Sequence, residues 1–269
     1  MAFKMKYQIT KQYLTPKSKR RSGIMMPSVG FIVAHDTGND GSTAKGNVGY
    51  YERSRDEMSA SAHTFIDHDS IIECIPATTA KPEKAWHVIY DVTTDNQMFG
   101  GDANDIAIGV ELCYSFKKGS INNKEAYKRY VWYIAYLCYK FNISPESKII
   151  GHCDLDPARK IDPTKNSFKV IGITWEQFIS DVAAELKDCT AVEVLQQEKG
   201  EDDESMKLAK WEVDALIEGI NNLSKTKGND GQPLINSPDI WIKKIQDGTL
   251  TAGELAVVNF ILITRTAVK

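Results

Sequence analysis

The sequence predicts an α/β protein: a mixed sheet flanked by helices, followed by a small all-helical C-terminal module. Three observations carry this prediction. Short apolar runs bounded by turn residues recur at 30–35, 61–67, 71–75, 106–113 and 148–150, the pattern of buried strands. Between and after them, residues 124–141 and a segment from Thr174 to about Lys187 repeat apolar side chains at the helical period. Strands and helices therefore alternate irregularly, as in a mixed sheet covered by helices. From Asp188 to Ser205 the chain turns polar, with the acidic run Glu201 to Glu204, and three helical patterns follow.

Each element has its own signal. Residues 1–28 are basic and turn-rich, with Lys17, Lys19, Arg20 and Arg21 around Pro16, and read as a solvated arm. Gly30 to His35 is a buried strand that ends in the turn Asp36-Thr37-Gly38-Asn39. Thr43 to Ser54 reads as a helix with Val48 and Tyr51 inward. The runs 61–67 and 71–75 form a hairpin across His68-Asp69-Ser70. A long loop runs from Pro76 to Asp105, and Ile106 to Cys113 is the most apolar strand. In the helix from Lys124 to Phe141 the inward stripe is Tyr127, Tyr130/Val131, Ile134, Leu137/Cys138 and Phe141, and these aromatics are core. Lys148-Ile149-Ile150 is a short strand, and Thr174-Trp-Glu-Gln177 is a capping box for the next helix. In the tail, Met206 to Lys225 is helical, Ser237-Pro238 is an N-cap followed by Pro, and Thr251-Ala-Gly-Glu254 is a second capping box.

Composition narrows the function. A chain of 269 residues with 42% hydrophobic residues can bury one sizeable core and something smaller. A net charge of −3 argues against a nucleic-acid partner, and no apolar run approaches a membrane span. The N-terminus lacks an apolar leader core, so a cytoplasmic location is expected. Five cysteines without CxxC spacing read as thiols.

The residues that carry chemistry sit where strands end. His35 closes the run Phe31-Ile32-Val33-Ala34, and the stretch GHCDLDPARKID, Gly151 to Asp162, follows Lys148-Ile149-Ile150. That stretch offers His152, Asp154, Asp156, Lys160 and Asp162 on what Pro157 and Pro163 make a loop. Two strands ending in histidine can aim both imidazoles at one ion. Two His, one carboxylate and a fourth position left to water are the ligand set of catalytic zinc. From the residues alone the third ligand is open among Asp154, Asp156 and Asp162, and His152 pairing with Asp154 to tie down a loop has equal standing. Cys153, beside His152, points to the opposite side in an extended segment. Glu111, the carboxylate of the most apolar strand, must be paired, metal-linked or catalytic, and a supporting hydrogen bond to a zinc-bound histidine is an alternative. Trp86 and His87 lie on the long loop, where binding residues concentrate. We assign His87, with Trp86 and His63, to the substrate side.

Five segments in order carry a resemblance: His35-Asp-Thr37; Ser61-Ala-His63 with Phe65-Ile66-Asp67; Ala85-Trp86-His87; Ile108-Gly109-Val110-Glu111; and Gly151-His152 with Arg159-Lys160-Ile-Asp162-Pro163. Over roughly residues 25–187 the chain resembles the zinc-dependent N-acetylmuramoyl-L-alanine amidases of the type-2 amidase and peptidoglycan-recognition-protein superfamily. The resemblance implies zinc on His35, His152 and Asp162, with Glu111 the catalytic glutamate and Lys160 the residue that stabilises the oxyanion. It also implies a mostly parallel central sheet with helices on both faces, a metal in a surface cleft, and peptidoglycan as substrate. The chain departs from many members beside His63, where Ala62 and Thr64 replace a tyrosine or other aromatic.

Such an enzyme with a C-terminal module and no export signal resembles a phage or prophage endolysin. It would wait in the host cytoplasm until a holin opens the membrane, then act on the wall. Residues 1–187 are then the zinc amidase domain, 188–205 an acidic linker and 206–269 a helical module. The endolysin resemblance implies that this module binds the cell wall, and with only about 64 residues it is a candidate to form homo-oligomers. Lys199-Gly200-Glu201 can be encoded by a purine-rich stretch resembling a ribosome-binding site, so free C-terminal fragments started at Met206 are a further expectation. The competing classes are a peptidoglycan-binding module without catalysis and a zinc peptidase acting on the stem peptide.

Overall fold

The computed structural model describes residues 3–117, 119–191, 205–229, 231–256 and 258–259. The chain divides into two compact units, Met1–Val192 and Glu193–Lys269. In the first, the elements run β1 (Ile9–Lys11), β2 (Phe31–Asp36), α1 (Ala44–Arg53), β3 (Thr64–Ile66), β4 (Ile71–Glu73), α2 (Thr94–Phe99), α3 (Ala103–Ile106), β5 (Ala107–Leu112), α4 (Asn123–Phe141), α5 (Pro145–Lys148), β6 (Ile149–Gly151), α6 (His152–Leu155), α7 (Ser167–Ile171) and α8 (Trp175–Thr190).

The six strands form one sheet in the order β1-β4-β3-β5-β2-β6. Only β3 and β4 pair antiparallel; every other neighbour is parallel. Alternation along the central strands divides the apolar residues between the two faces. Ile32, Ala34, Ile108, Val110 and Leu112 enter the larger core with the inward stripe of α4 and with Phe178 and Val182 of α8. Phe31, Val33, Ala107 and Ile150 face a smaller core closed by Val88, Val92, Ala103 and Leu155. That smaller face leaves room for a site at the ends of β2, β5 and β6.

The residues at 1–28 correct the reading of a solvated arm. Strand β1 pairs with β4, Phe3, Leu14 and Met26 are buried, and Arg20 is 1% exposed. The Arg20 guanidinium donates to the Ser54 carbonyl at 3.2 Å, to Ser54 Oγ and to the Ala60 carbonyl, and lies 4.2 Å from the centroid of the Tyr51 ring. The long loop from 76 to 105 contains α2 and α3, and GHCDLDPARKID opens with the helical turn α6 rather than as loop throughout. Of the box at Thr174 only half forms: Thr174 Oγ1 accepts from Gln177 N at 3.1 Å, while the Gln177 amide turns to Asp181.

In the second unit α9 (Lys210–Lys225) and α10 (Pro238–Gln246) are followed by helical residues 252–256. Thr251 and Glu254 cap that last segment reciprocally at 3.2 Å. Its small core holds Ile220, Ile235, Ile245, Leu250 and Val258, whereas Trp211 is 70% exposed. Ser237 sits at φ 54° and its hydroxyl caps nothing, so Pro238 starts α10 without the expected side-chain cap. The Lys199-Gly200-Glu201 segment, the acidic run Glu201 to Glu204 and the last helical pattern past residue 259 lie outside the described residues. Among the described residues, no helix is long and apolar enough to cross a membrane.

Candidate active site

His35 is the fifth residue of β2, and strand alternation puts its side chain on the face of Phe31 and Val33. The parallel register sets His35 opposite Glu111 of β5, so both project from the same face. Tyr130, buried on α4, donates its hydroxyl to the carbonyls of His35 and Val110 at 3.1 and 3.2 Å and ties the two strands together. His152 follows β6 directly as the first residue of α6. Asp162 returns to it because Cys153 N donates to the Asp162 carbonyl at 2.8 Å. Asp36 secures the segment beyond: its carboxylate accepts from Asn166 Nδ2 at 2.7 Å and Ser167 N at 2.9 Å.

These constraints converge on three atoms. His35 Nδ1 lies 3.0 Å from His152 Nδ1 and 3.2 Å from Asp162 Oδ2, and His152 Nδ1 lies 3.1 Å from the same oxygen. Metal bonds of about 2.1 Å in a tetrahedron place ligand atoms roughly 3.4 Å apart, so the triangle is close to one face of a zinc coordination shell. Protonation suits this use. Burial, then the neighbouring His152, pushes His35 down to about 4, so its ring is neutral near pH 7. For Asp162, burial alone would raise the pKa, but the close approach of His152 and His35 outweighs it and holds the carboxyl well below the usual range. Asp154 is exposed and Asp156 pairs with Arg159, so neither joins the cluster. Cys153 faces Thr164 Oγ1 at 3.4 Å. A second acid and thiol cluster, Glu185, Asp188 and Cys189, is filled by the ammonium of Lys6, 2.7 Å from Glu185 and 2.8 Å from Asp188.

A cleft of about 460 Å³ opens over the triangle, lined also by Glu111, Lys160 and Trp86. Glu111 Oε2 is buried without a hydrogen-bond partner among the described residues. Burial, then the Asp162 and Asp36 carboxylates, pushes its pKa well above the ordinary value, against an opposing pull from Lys160. Tyr51, expected to be an inward core residue of α1, also lines the cleft. Nothing in the helical spacing distinguished that ring from a core aromatic.

Of the three assignments to the substrate side, that of His63 needs correction. His63 is 0% exposed, with Nε2 on the Glu83 carbonyl at 2.9 Å and Nδ1 accepting from Gly109 N at 3.0 Å. It has no free edge for a substrate. His87 forms part of the cleft floor, yet its nitrogens lie 3.0 Å from His35 Nε2 and 3.2 Å from the Ala107 carbonyl. Burial, then His35 and His63, holds its pKa well below the ordinary value. Trp86 is half-buried, beside Tyr90 in an adjoining apolar hollow that His87 also lines.

Comparison with known proteins bears on the family and the fold. A family model described as N-acetylmuramoyl-L-alanine amidase matches residues 25–165, just over half of the chain. Among curated proteins, the N-acetylmuramoyl-L-alanine amidase BlyA of Bacillus subtilis (strain 168) is 30% identical over 154 residues, 54% of this chain and 40% of that protein. The N-acetylmuramoyl-L-alanine amidase CwlA of the same strain is 32% identical over 123 residues, 45% of this chain and again 40% of that protein. The chain thus spans well under half the length of either relative. Among solved structures, the catalytic domain of XlyA aligns with a TM-score of 0.52 at 22% identity, over 65% of this chain and 99% of that one, a likeness of fold.

Proposed function

The chain belongs to the N-acetylmuramoyl-L-alanine amidase family, and on that premise we propose that it hydrolyses the amide joining the lactyl group of N-acetylmuramic acid to L-alanine in bacterial peptidoglycan. The observation that supports this best is the convergence of His35 Nδ1, His152 Nδ1 and Asp162 Oδ2 within 3.2 Å of one another, beside Glu111, whose buried Oε2 has no hydrogen-bond partner among the described residues.

Two imidazoles and one ionised carboxylate fit zinc in donor type and spacing. Zinc held there supplies Lewis acidity, polarising the scissile carbonyl and lowering the pKa of water to about 7. Glu111 accepts the proton of the attacking water and gives it to the departing nitrogen as the C–N bond breaks. The products are the free lactyl carboxylate and a stem peptide with an L-alanine amine. Lys160, on the cleft wall, places its ammonium to meet the negative charge that develops on the amide oxygen. The half-buried ring of Trp86 offers a surface for the substrate.

Cutting this bond frees stem peptides from the glycan strands and weakens the wall. Lysis of a host cell by an endolysin, release through a holin, and wall binding and self-association by the second unit belong to the same reading. Turbidity loss of Gram-positive cell walls tests it. Lysis by the full chain should stop on chelation and return with zinc. Binding without lysis would favour a recognition module, and lysis indifferent to verified metal removal would remove zinc from the account.

A further inference from the structure

Behind the ligand triangle lies a row of imidazoles that the hydrolytic steps do not use. His63 and His87 have ring centroids 5.7 Å apart, and His87 and His35 meet edge to face at 5.2 Å. The direction of hydrogen bonding along this row follows from one backbone group. The Ala107 carbonyl can only accept, so at 3.2 Å from His87 Nε2 it fixes the hydrogen on that nitrogen. His87 is buried and its hydrogen-bond partners include no carboxylate, so the ring carries a single proton. Its Nδ1 is therefore bare and accepts. The partner at 3.0 Å is His35 Nε2, which must donate. A neutral His35 that donates from Nε2 has its lone pair on Nδ1, the atom facing His152 and Asp162.

We infer that His87 is a positioning residue for the metal: by accepting from His35 Nε2 it holds His35 in the tautomer whose Nδ1 can bind the ion. The inference rests on the zinc reading above and gives His87 a task other than substrate contact.

Two neighbours hold the ring where this task needs it. A Cβ on Gly109 would come within 2.6 Å of His87 Cγ, so β5 admits the ring only because residue 109 is glycine. Asn104 fixes the backbone: its Oδ1 accepts from His87 N at 2.8 Å and Val88 N at 3.0 Å, and its Nδ2 donates to the Val88 carbonyl at 2.6 Å.

The test reads tautomer and affinity rather than turnover. In the metal-free, 15N-labelled full chain, two-bond 1H–15N correlations should show His35 protonated on Nε2. Chelator competition should show zinc bound about 10- to 100-fold more weakly by His87→Phe, which keeps the ring's bulk without its nitrogens. His87→Asn, whose amide oxygen can stand near the place of Nδ1, should recover much of that loss. An Nδ1-protonated His35 in the metal-free wild-type chain would overturn the role without any variant. So would wild-type zinc affinity in a folded His87→Phe chain. If the wild-type chain binds no zinc and the His35 and His152 signals stay unmoved on titration, the zinc reading fails first and this role with it.

Discussion

His35 and Glu111 stand opposite one another in register across the parallel strands β2 and β5, the histidine at the ligand triangle and the glutamate with a buried, unpartnered oxygen. Neither side chain needs a loop to bring it into place. The sheet's hydrogen bonds set their spacing, and the Tyr130 hydroxyl bridges the two backbones beside them. On the proposed function a metal ligand and a proton carrier stand on adjacent rigid strands, with little freedom to lose when substrate arrives.

Glu111→Gln should separate proton transfer from metal binding. The substitution keeps the shape and removes the base, so kcat should fall by about 10²- to 10⁴-fold while zinc content stays at the wild-type level. Stopped assays on a defined muropeptide with parallel metal analysis would show this. Loss of zinc together with activity would instead make Glu111 a structural partner of the site.

The three aspartates of GHCDLDPARKID are distinguished by geometry, and zinc affinity should follow. Asp162→Ala removes a corner of the triangle and should weaken zinc binding by at least about 10-fold. Asp154→Ala alters an exposed side chain outside the cluster and should leave affinity unchanged. Competition with a fluorescent chelator measures both, and the reverse order would mean that the ligand assignment is wrong.

His63 predicts an acid-sensitive component of stability. Burial, opposed by hydrogen bonds to Glu83 and Gly109, pushes its pKa from 6.5 down to about 4. Between those values the unfolded chain binds a proton that the folded chain excludes, so stability is fully present above pH 6.5 and is lost as pH falls toward 4. The shift corresponds to about 3 kcal/mol. Chemical unfolding of the metal-free chain from pH 7.5 to 4.5, compared with His63→Asn, isolates this contribution. An identical pH slope in both proteins would refute it.

Arg20→Met should be costly although residue 20 lies in a basic, turn-rich segment. The change leaves the Ser54 and Ala60 carbonyls without their charged donor in a buried setting, a loss of about 3 kcal/mol. Guanidinium unfolding would register it; a change under about 1 kcal/mol would return the segment to the status of a solvated arm.

Local pattern made much of this molecule readable. β2, β5 and α4 declared themselves because burial on both sheet faces, or along one helix stripe, writes itself into consecutive residues. His35 and His152, which end the apolar runs of β2 and β6, were visible for the same reason, since a polar group at the end of an apolar run needs a purpose. What stayed hidden depends on partners distant in sequence. Strand β1 has three residues and one half-buried side chain, so its pairing with β4 left no period to detect. The roles of His63 and His87 turn on the Glu83 and Ala107 carbonyls, which every residue type possesses. Trp211 matched the helical period of α9, yet it lies in the solvent, because a 16-residue helix over a small core cannot cover every apolar position.

Zinc-dependent cleavage at the lactyl amide can be read from the product of one defined reaction. A muropeptide of N-acetylmuramic acid bearing its stem peptide, incubated with metal-free and zinc-restored full chain, would be resolved by mass spectrometry. The zinc-restored protein alone should yield a free lactyl carboxylate and a peptide beginning with L-alanine. Cleavage within the stem peptide, or equal cleavage by the metal-free protein, would contradict the proposed function.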